Sequence, residues 1–120
     1  MRMWMVPVKI MCRKHLLGEH VECHMIESHL FNKKKISGYV RNNCIEPTSL
    51  RRRHNQLVTE MEIRKYNHDS PLKHNSLELY YLPSKEECAK VNVRKSQWEL
   101  LKRCKDCRRL YNETNSIERN

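Results

Sequence analysis

Apolar residues recur along much of the chain at spacings of three and four residues, as expected for helices that pack against a core. The alternation of apolar and polar residues that marks strands is nearly absent, and glycine occurs only twice. We therefore predict an all-α fold, a compact bundle of three to four helices with an extended N-terminal segment lying against it. The apolar flank of the first helix should consist of Leu16, Leu17, Val21 and Met25.

The pattern also sets approximate helix bounds in the first half of the chain. Pro7 is tolerated only in the first turn of a helix, so a first helix should run from about residue 8 to residue 31. Residues 32–46 lack a sustained periodicity and predict a connection. A second helix should start near Pro47 and end near Tyr66, with an apolar face made by Leu50, Leu57, Val58, Met61 and Ile63.

The second half of the chain is less regular. Ser84 with Glu87 is a capping box that predicts a short helix, and Ser96 with Glu99 is another that opens a final helix through about Tyr111. Residues 1–111 should form a single helical domain, followed by a frayed tail over 112–120. The irregular stretch before the short helix should still pack on the core through Leu77, Leu79, Tyr80, Tyr81 and Leu82.

The charge balance changes the picture from a plain helical domain to a candidate nucleic-acid binder. The 120 residues include 24 Lys and Arg against 14 Asp and Glu, a formal net charge of +10. Such a surplus is typical of proteins that contact phosphate, although cations also simply solvate helix faces. We find no secretory signal and no long apolar run, so we expect an intracellular protein with no membrane partner and with reduced cysteines.

Two imidazoles and two carboxylates share a narrow stripe of the first predicted helix. His15, Glu19, Glu22 and His29 fall within about 80° of one another at 100° per residue. A solvated polar face would look the same. A metal shared by His and Glu four residues apart is a third interpretation, although no H-E-x-x-H motif is present.

The first 22 residues, MRMWMVPVKIMCRKHLLGEHVE, place Met1 and Arg2 ahead of a helix that carries His15, Leu16, Gly18, Glu19 and Glu22. In this arrangement, and in the basic second helix with its closing Lys-Tyr-Asn, the chain resembles the pyrimidine-dimer DNA glycosylases of the endonuclease V type. The resemblance covers roughly residues 1–31 and 49–67. It implies a DNA glycosylase with abasic-site lyase activity, in which the N-terminal amine forms an imine with damaged double-stranded DNA.

The resemblance implies Met1 and Glu22 as catalytic residues. An ordinary α-amine is roughly 10 to 17% neutral at pH 7, whereas a lysine amine is only about 0.04% neutral, which favours the N-terminus as nucleophile. The bulky Arg2 should keep Met1 from being removed. We expect a monomer that uses neither cofactor nor metal, with substrate contacts from Arg2, Arg13, Lys14, His15, Arg51, Arg52 and Arg53. Glu19 should be a structural ion-pair partner of Arg13 or Lys14.

The chain departs from the family pattern at two positions near the catalytic glutamate. Val21 and Met25 stand where the phage enzymes have arginines, and only Trp98 and Tyr111 are candidates for the aromatic C-terminal segment of those enzymes. A non-catalytic basic DNA-binding module is therefore a second interpretation.

A small zinc-binding interaction protein is a third interpretation. It would use the C-x-x-C of Cys104 and Cys107, completed by Cys88 and a histidine such as His74.

Overall fold

The computed structural model describes residues 1–66, 70–74, 79 and 81–119, and all regular elements in these ranges are helical. Two single 3₁₀ turns, Val8–Ile10 and Pro47–Ser49, precede the first and third α-helices. The prediction of an all-α bundle is confirmed, and four of the six α-helices are longer than two turns. The helices are α1 (Arg13–Phe31), α2 (Ser37–Arg41), α3 (Leu50–Ile63), α4 (Ser84–Glu87), α5 (Val93–Arg103) and α6 (Lys105–Arg119).

The first two long helices begin later than the periodicity predicted. Met11 and Cys12 are extended, which ends the preceding 3₁₀ turn and makes Cys12 the N-cap of α1. In the same way Pro47 opens a 3₁₀ turn before α3 begins at Leu50. The segment predicted as a plain connection, 32–46, contains the short helix α2.

The predicted final helix is wrong in both its start and its continuity. Asn92 caps α5 by accepting the Lys95 N–H at 3.1 Å, whereas Ser96 is buried inside the helix. Cys104 then takes an extended conformation that separates α5 from α6, and α6 continues to Arg119 instead of ending near residue 111. The short helix α4 forms where predicted, but Pro83 occupies its N-cap, without a side-chain capping bond.

The core lies between the α1–α3 pair and the α5–α6 pair, joined by the 3₁₀ turn Val8–Ile10, which contacts both α3 and α6. Leu16, Leu50, Leu57 and Met61 are buried as predicted. Three predicted core residues are instead exposed, namely Val21 at 49%, Met25 at 50% and Ile63 at 66%. Of the apolar group before α4, Leu82 is buried and Leu79 and Tyr81 are partly buried, whereas Leu77 and Tyr80 lie outside the described residues.

Buried carboxylates explain why the faces of α1 are hard to recognise. Glu19 pairs with a buried arginine of α3, and Glu27 accepts the backbone N–H groups of Lys73 and His74, each at 3.0 Å. Glu46 likewise accepts the Val91 N–H at 2.9 Å. Since each acid has its own donor, polar residues occupy core positions without the cost of an unpaired buried charge.

Candidate active site at the N-terminus

The N-terminal segment is held in place by two backbone groups. The Met3 N–H donates to the Cys44 carbonyl at 2.6 Å, and the Ser96 hydroxyl of α5 donates to the Trp4 carbonyl at 2.6 Å. Met3, Trp4 and Val6 are all buried, with Met5 between them in the left-handed backbone region at φ 59°. The segment is therefore packed into the bundle over most of its length.

This packing brings the start of the chain to Glu22 on α1. The Arg2 N–H donates to Glu22 Oε2 at 3.1 Å. One residue spans at most about 3.6 Å, so the Met1 amine lies within roughly 7 Å of this carboxylate. Burial raises the pKa of Glu22, and the positive N-terminus and the Arg2 hydrogen bond partly offset that rise.

His29, one further member of the predicted stripe, lies two turns after Glu22 on α1, and its ring contacts the Tyr39 ring at 6.1 Å between centroids. Burial lowers the pKa of His29, and the charges of Lys34 and of the Met1 amine lower it further. The structure thus places the Glu22 carboxylate beside the N-terminal amine, with His29 two turns further along the same face of α1.

The Arg2 side chain is fixed by α5. Its Nη2 lies 2.9 Å from Glu99 Oε2, and its guanidinium carbon lies 3.7 Å from the centre of the Trp4 ring. The ion pair with Arg2 lowers the pKa of Glu99. Arg2 is accordingly a link between the N-terminus and the C-terminal helices.

His15 lies two turns before Glu22 on α1. Its ring makes an edge contact with the Trp4 ring at 5.8 Å between centroids, and its Nδ1 lies 3.2 Å from Cys12 Sγ. Burial, and then the charge of Lys14, lower the pKa of His15, so the ring is neutral at pH 7. A neutral ring gives a phosphate group less electrostatic attraction than the surrounding cations do.

The exposed cations line two adjacent grooves. Arg13 and Lys14 open onto a groove of about 900 Å³, over which Arg13 stacks 4.7 Å from the Tyr66 ring. Arg51 and Arg52 line a second groove of about 750 Å³ on α3. Lys9 lines both grooves, so the basic residues of α1 and α3 form one surface, which we call the basic face.

Arg53 does not belong to the basic face. Its side chain is 3% exposed and forms a bidentate ion pair with Glu19, with distances of 2.6 Å from Nε to Oε2 and 2.9 Å from Nη2 to Oε1. A buried guanidinium is out of reach of a DNA phosphate, so we leave Arg53 out of the substrate contacts. The ion-pair role predicted for Glu19 is confirmed, but its partner is Arg53 and neither Arg13 nor Lys14.

Val21 and Met25 occupy the exposed face of α1 together with Lys14. At 100° per residue the three lie within about 40° of one another, with Glu22 on the border of the same face. On α5, Trp98 is 62% exposed and is the neighbour in sequence of Glu99, whereas Tyr111 is partly buried against the core. The exposed surface beside Glu22 is therefore apolar where the phage enzymes are basic.

Several contacts could not be foreseen from the sequence. The pairing of Arg2 with Glu99 spans 97 residues along the chain, and no local pattern signals it. Two groups of metal-ligand type also form among the described residues, one of Cys12, His15, Cys104 and Cys107 and one of His20, His24 and His54. A C-x-x-H spacing at Cys12 and His15, analogous to the C-x-x-C, was the available signal for the first group.

The partners suggested for the C-x-x-C are wrong. Cys88 is exposed and is not a member of the cysteine group, and the His74 ring stacks on Phe31 at 3.7 Å. In the histidine group, the Nε2 atoms of His24 and His54 lie 3.0 and 2.9 Å from the Ser70 carbonyl oxygen. Hydrogen bonds to that carbonyl explain why these two rings lie close together, and no metal is needed to explain it.

Comparison with known proteins extends these observations. In the described part of the chain, no helix has the length and apolar character needed to cross a membrane. Searches of curated proteins and of solved structures found no significant match. A family model described as pyrimidine dimer DNA glycosylase matches residues 1–74, which is more than half of the chain. The matched part contains the N-terminal amine, Glu22 and the basic helix α3. The chain therefore belongs to the pyrimidine dimer DNA glycosylase family.

Proposed function

We propose that the protein is a DNA glycosylase with abasic-site lyase activity on pyrimidine-dimer or related lesions in double-stranded DNA. It would act as a monomer inside the cell, with Met1 as nucleophile and Glu22 as the catalytic carboxylate. The observation that carries the proposal is the hydrogen bond from the Arg2 N–H to Glu22, which holds the carboxylate within roughly 7 Å of the amine. The family match supports a DNA substrate.

The proposed reaction begins when the neutral amine of Met1 attacks C1′ of the damaged nucleotide. A C–N bond forms as the bond to the base breaks, and the base leaves with the electron pair. Loss of the proton from nitrogen and opening of the sugar ring give the imine. Removal of a proton from C2′ then expels the 3′ phosphate by β-elimination, and water releases the enzyme. Glu22 would stabilise the positive charge at C1′ and carry protons in both stages.

The basic face would bind the duplex. Arg13, Lys14, Arg51 and Arg52 are exposed, and such cations bind phosphate without regard to sequence. Because C1′ is not accessible within a stacked duplex, local distortion of the duplex or extrusion of a nucleotide is needed to bring C1′ to the Met1 amine. Trp98 is an exposed aromatic ring on the α5 side of the site that could stack on a displaced or neighbouring base.

Borohydride trapping on DNA with one abasic site tests the proposal. Borohydride reduces the imine to a stable amine, so the parent protein should form a covalent adduct that peptide mapping locates at Met1. Acetylation of the N-terminus should abolish the adduct, because the amide nitrogen is not nucleophilic. Glu22→Gln should bind DNA like the parent yet lose most lyase turnover.

Glu62→Gln provides the matched control, since Glu62 is an exposed glutamate on a different helix, α3. This variant should cleave abasic DNA at the parent rate. Parent-like cleavage by Glu22→Gln, or an adduct located at a lysine, would refute the proposed mechanism.

A non-catalytic DNA-binding module is the competing function. The exposed Val21 and Met25 favour it, because they remove two cations from the surface beside Glu22. Such a module would bind DNA with a strong salt dependence and form no adduct with borohydride. The trapping experiment therefore separates the two functions directly.

A further inference from the structure

Two parts of the chain that lie about 90 residues apart converge on one small volume. Cys12 is the N-cap of α1 and His15 lies in the first turn of that helix, while Cys104 and Cys107 lie at the junction of α5 and α6. The Sγ atoms of the three cysteines and a ring nitrogen of His15 all lie within 4.8 Å of one another. These residues are not among the reacting groups proposed for the Met1 and Glu22 site.

The distances agree with a tetrahedral zinc site. With Zn–S near 2.3 Å and Zn–N near 2.05 Å, tetrahedral angles place two sulfurs about 3.8 Å apart and a sulfur and a nitrogen about 3.5 Å apart. The distance from Cys12 Sγ to Cys104 Sγ is 3.7 Å, and His15 Nδ1 lies 3.2 Å from Cys12 Sγ and 3.8 Å from Cys107 Sγ. A disulfide, by contrast, requires sulfurs about 2.05 Å apart.

Backbone N–H groups already point at the sulfurs. The Cys12 N–H lies 3.2 Å from Cys107 Sγ, and the Cys107 N–H lies 3.4 Å from Cys104 Sγ. Hydrogen bonds of this kind stabilise thiolate ligands and orient them toward a metal. Lys9, Arg13, Lys14 and Arg109 line the groove that Cys12 also lines, and their positive charge compensates an anionic site.

We propose that Cys12, His15, Cys104 and Cys107 bind one structural zinc ion. Three thiolates and one neutral imidazole fill all four positions of Zn²⁺ and leave a net charge of −1, so no position remains open for substrate. The ion would fasten the α5–α6 junction to the start of α1. His15 would then be a zinc ligand through Nδ1, in place of the phosphate contact expected from the sequence.

The first test measures the metal in the full-length chain. Protein purified under reducing conditions from zinc-supplemented cells should contain roughly one zinc per chain. After removal of the zinc, titration with Co²⁺ should produce thiolate-to-cobalt charge-transfer absorption and the intense visible bands of a tetrahedral site, saturating at one equivalent. Octahedral cobalt spectra without a charge-transfer band would overturn the proposal, and this measurement needs no variant.

The second test identifies the ligands. Cys104→Ser with Cys107→Ser should lose the zinc and the charge-transfer band, whereas the matched control, Cys44→Ser with Cys88→Ser, should keep both. His24→Ala removes a member of the histidine group and should also keep one zinc. Retention of zinc by the Cys104→Ser, Cys107→Ser variant would refute the proposed site. Loss of zinc from the Cys44→Ser, Cys88→Ser variant or from His24→Ala would also refute it, because the ion would then be bound by other residues.

Discussion

The buried ion pair between Glu19 and Arg53 provides the sharpest test of the fold, because sequence analysis had placed Arg53 on the DNA. The perturbation is Arg53→Met, which keeps much of the side-chain volume and removes the charge. Glu19 has 0% and Arg53 3% of its side chain exposed, and two hydrogen bonds of 2.6 and 2.9 Å join them. The substitution therefore leaves a carboxylate that water cannot reach.

The expected loss of stability is large. Removing one partner of a buried ion pair costs about 3 to 5 kcal/mol, mainly because the remaining charge is unpaired. With a urea dependence of about 2 kcal/mol per molar, a loss of 4 kcal/mol lowers the unfolding midpoint by about 2 M. Replacing both residues, Arg53→Met with Glu19→Leu, should recover most of this loss, since no charge then stays buried.

Urea unfolding followed by circular dichroism measures these differences, and Arg52→Met is the control on the neighbouring residue. The Arg52 side chain is 68% exposed and lies 3.9 Å from Glu46, so its removal should cost at most about 1 kcal/mol. The dependence of DNA affinity on salt concentration should be affected in the opposite order, more by Arg52→Met than by Arg53→Met. Arg52→Met should reduce the slope of log affinity against log salt by about 0.9, and Arg53→Met should leave it unchanged.

Two results would refute this reasoning. One is an Arg53→Met variant as stable as Arg52→Met, which would mean that Glu19 is not left unpaired. The other is a double variant no more stable than Arg53→Met, since that would show no energetic coupling between the two side chains.

Three further predictions concern α1. Because burial raises the pKa of Glu22, the folded state binds this proton more tightly than the unfolded state, so ionised Glu22 destabilises the fold above its ordinary pKa. Glu22→Gln should therefore resist urea better than the parent at pH 7, with the difference narrowing toward about pH 4; equal stability at both pH values would contradict this. Val21→Arg with Met25→Arg should steepen the slope of log DNA affinity against log salt by up to about 1.8 without loss of stability. An unchanged slope would mean that DNA does not contact this face of α1. Gly18→Ala should raise the free energy of unfolding by about 1 kcal/mol, since a Cβ there meets no atom within 4 Å. Thermal unfolding measures the change, and a variant less stable than the parent would contradict the prediction.

Helical periodicity located α1 and α3 approximately, because each must bury one side, whereas α5 and α6 were predicted as a single helix from a capping box. The periodicity did not identify the buried face of α1, where Glu19, His20 and Glu27 are buried and Val21 and Met25 are exposed. Whether a carboxylate can be buried depends on its partner, and Arg53 is 34 residues away. A single sequence reveals spacing within a helix, but it contains no signal for such a partner.

The same limit applies to the candidate site, where the amine and Glu22 were predicted and the residues that hold them were not. The family match ends at residue 74, yet the Arg2 side chain and the Trp4 carbonyl are held by Glu99 and Ser96. The buried hydrogen bond from the Ser96 hydroxyl to the Trp4 carbonyl contributes about 0.5 to 1.5 kcal/mol. That free energy corresponds to a roughly 2- to 13-fold larger ratio of docked to undocked N-terminal segments. The C-terminal helices would therefore act in the proposed catalysis by positioning the amine, although they supply none of the proposed reacting groups.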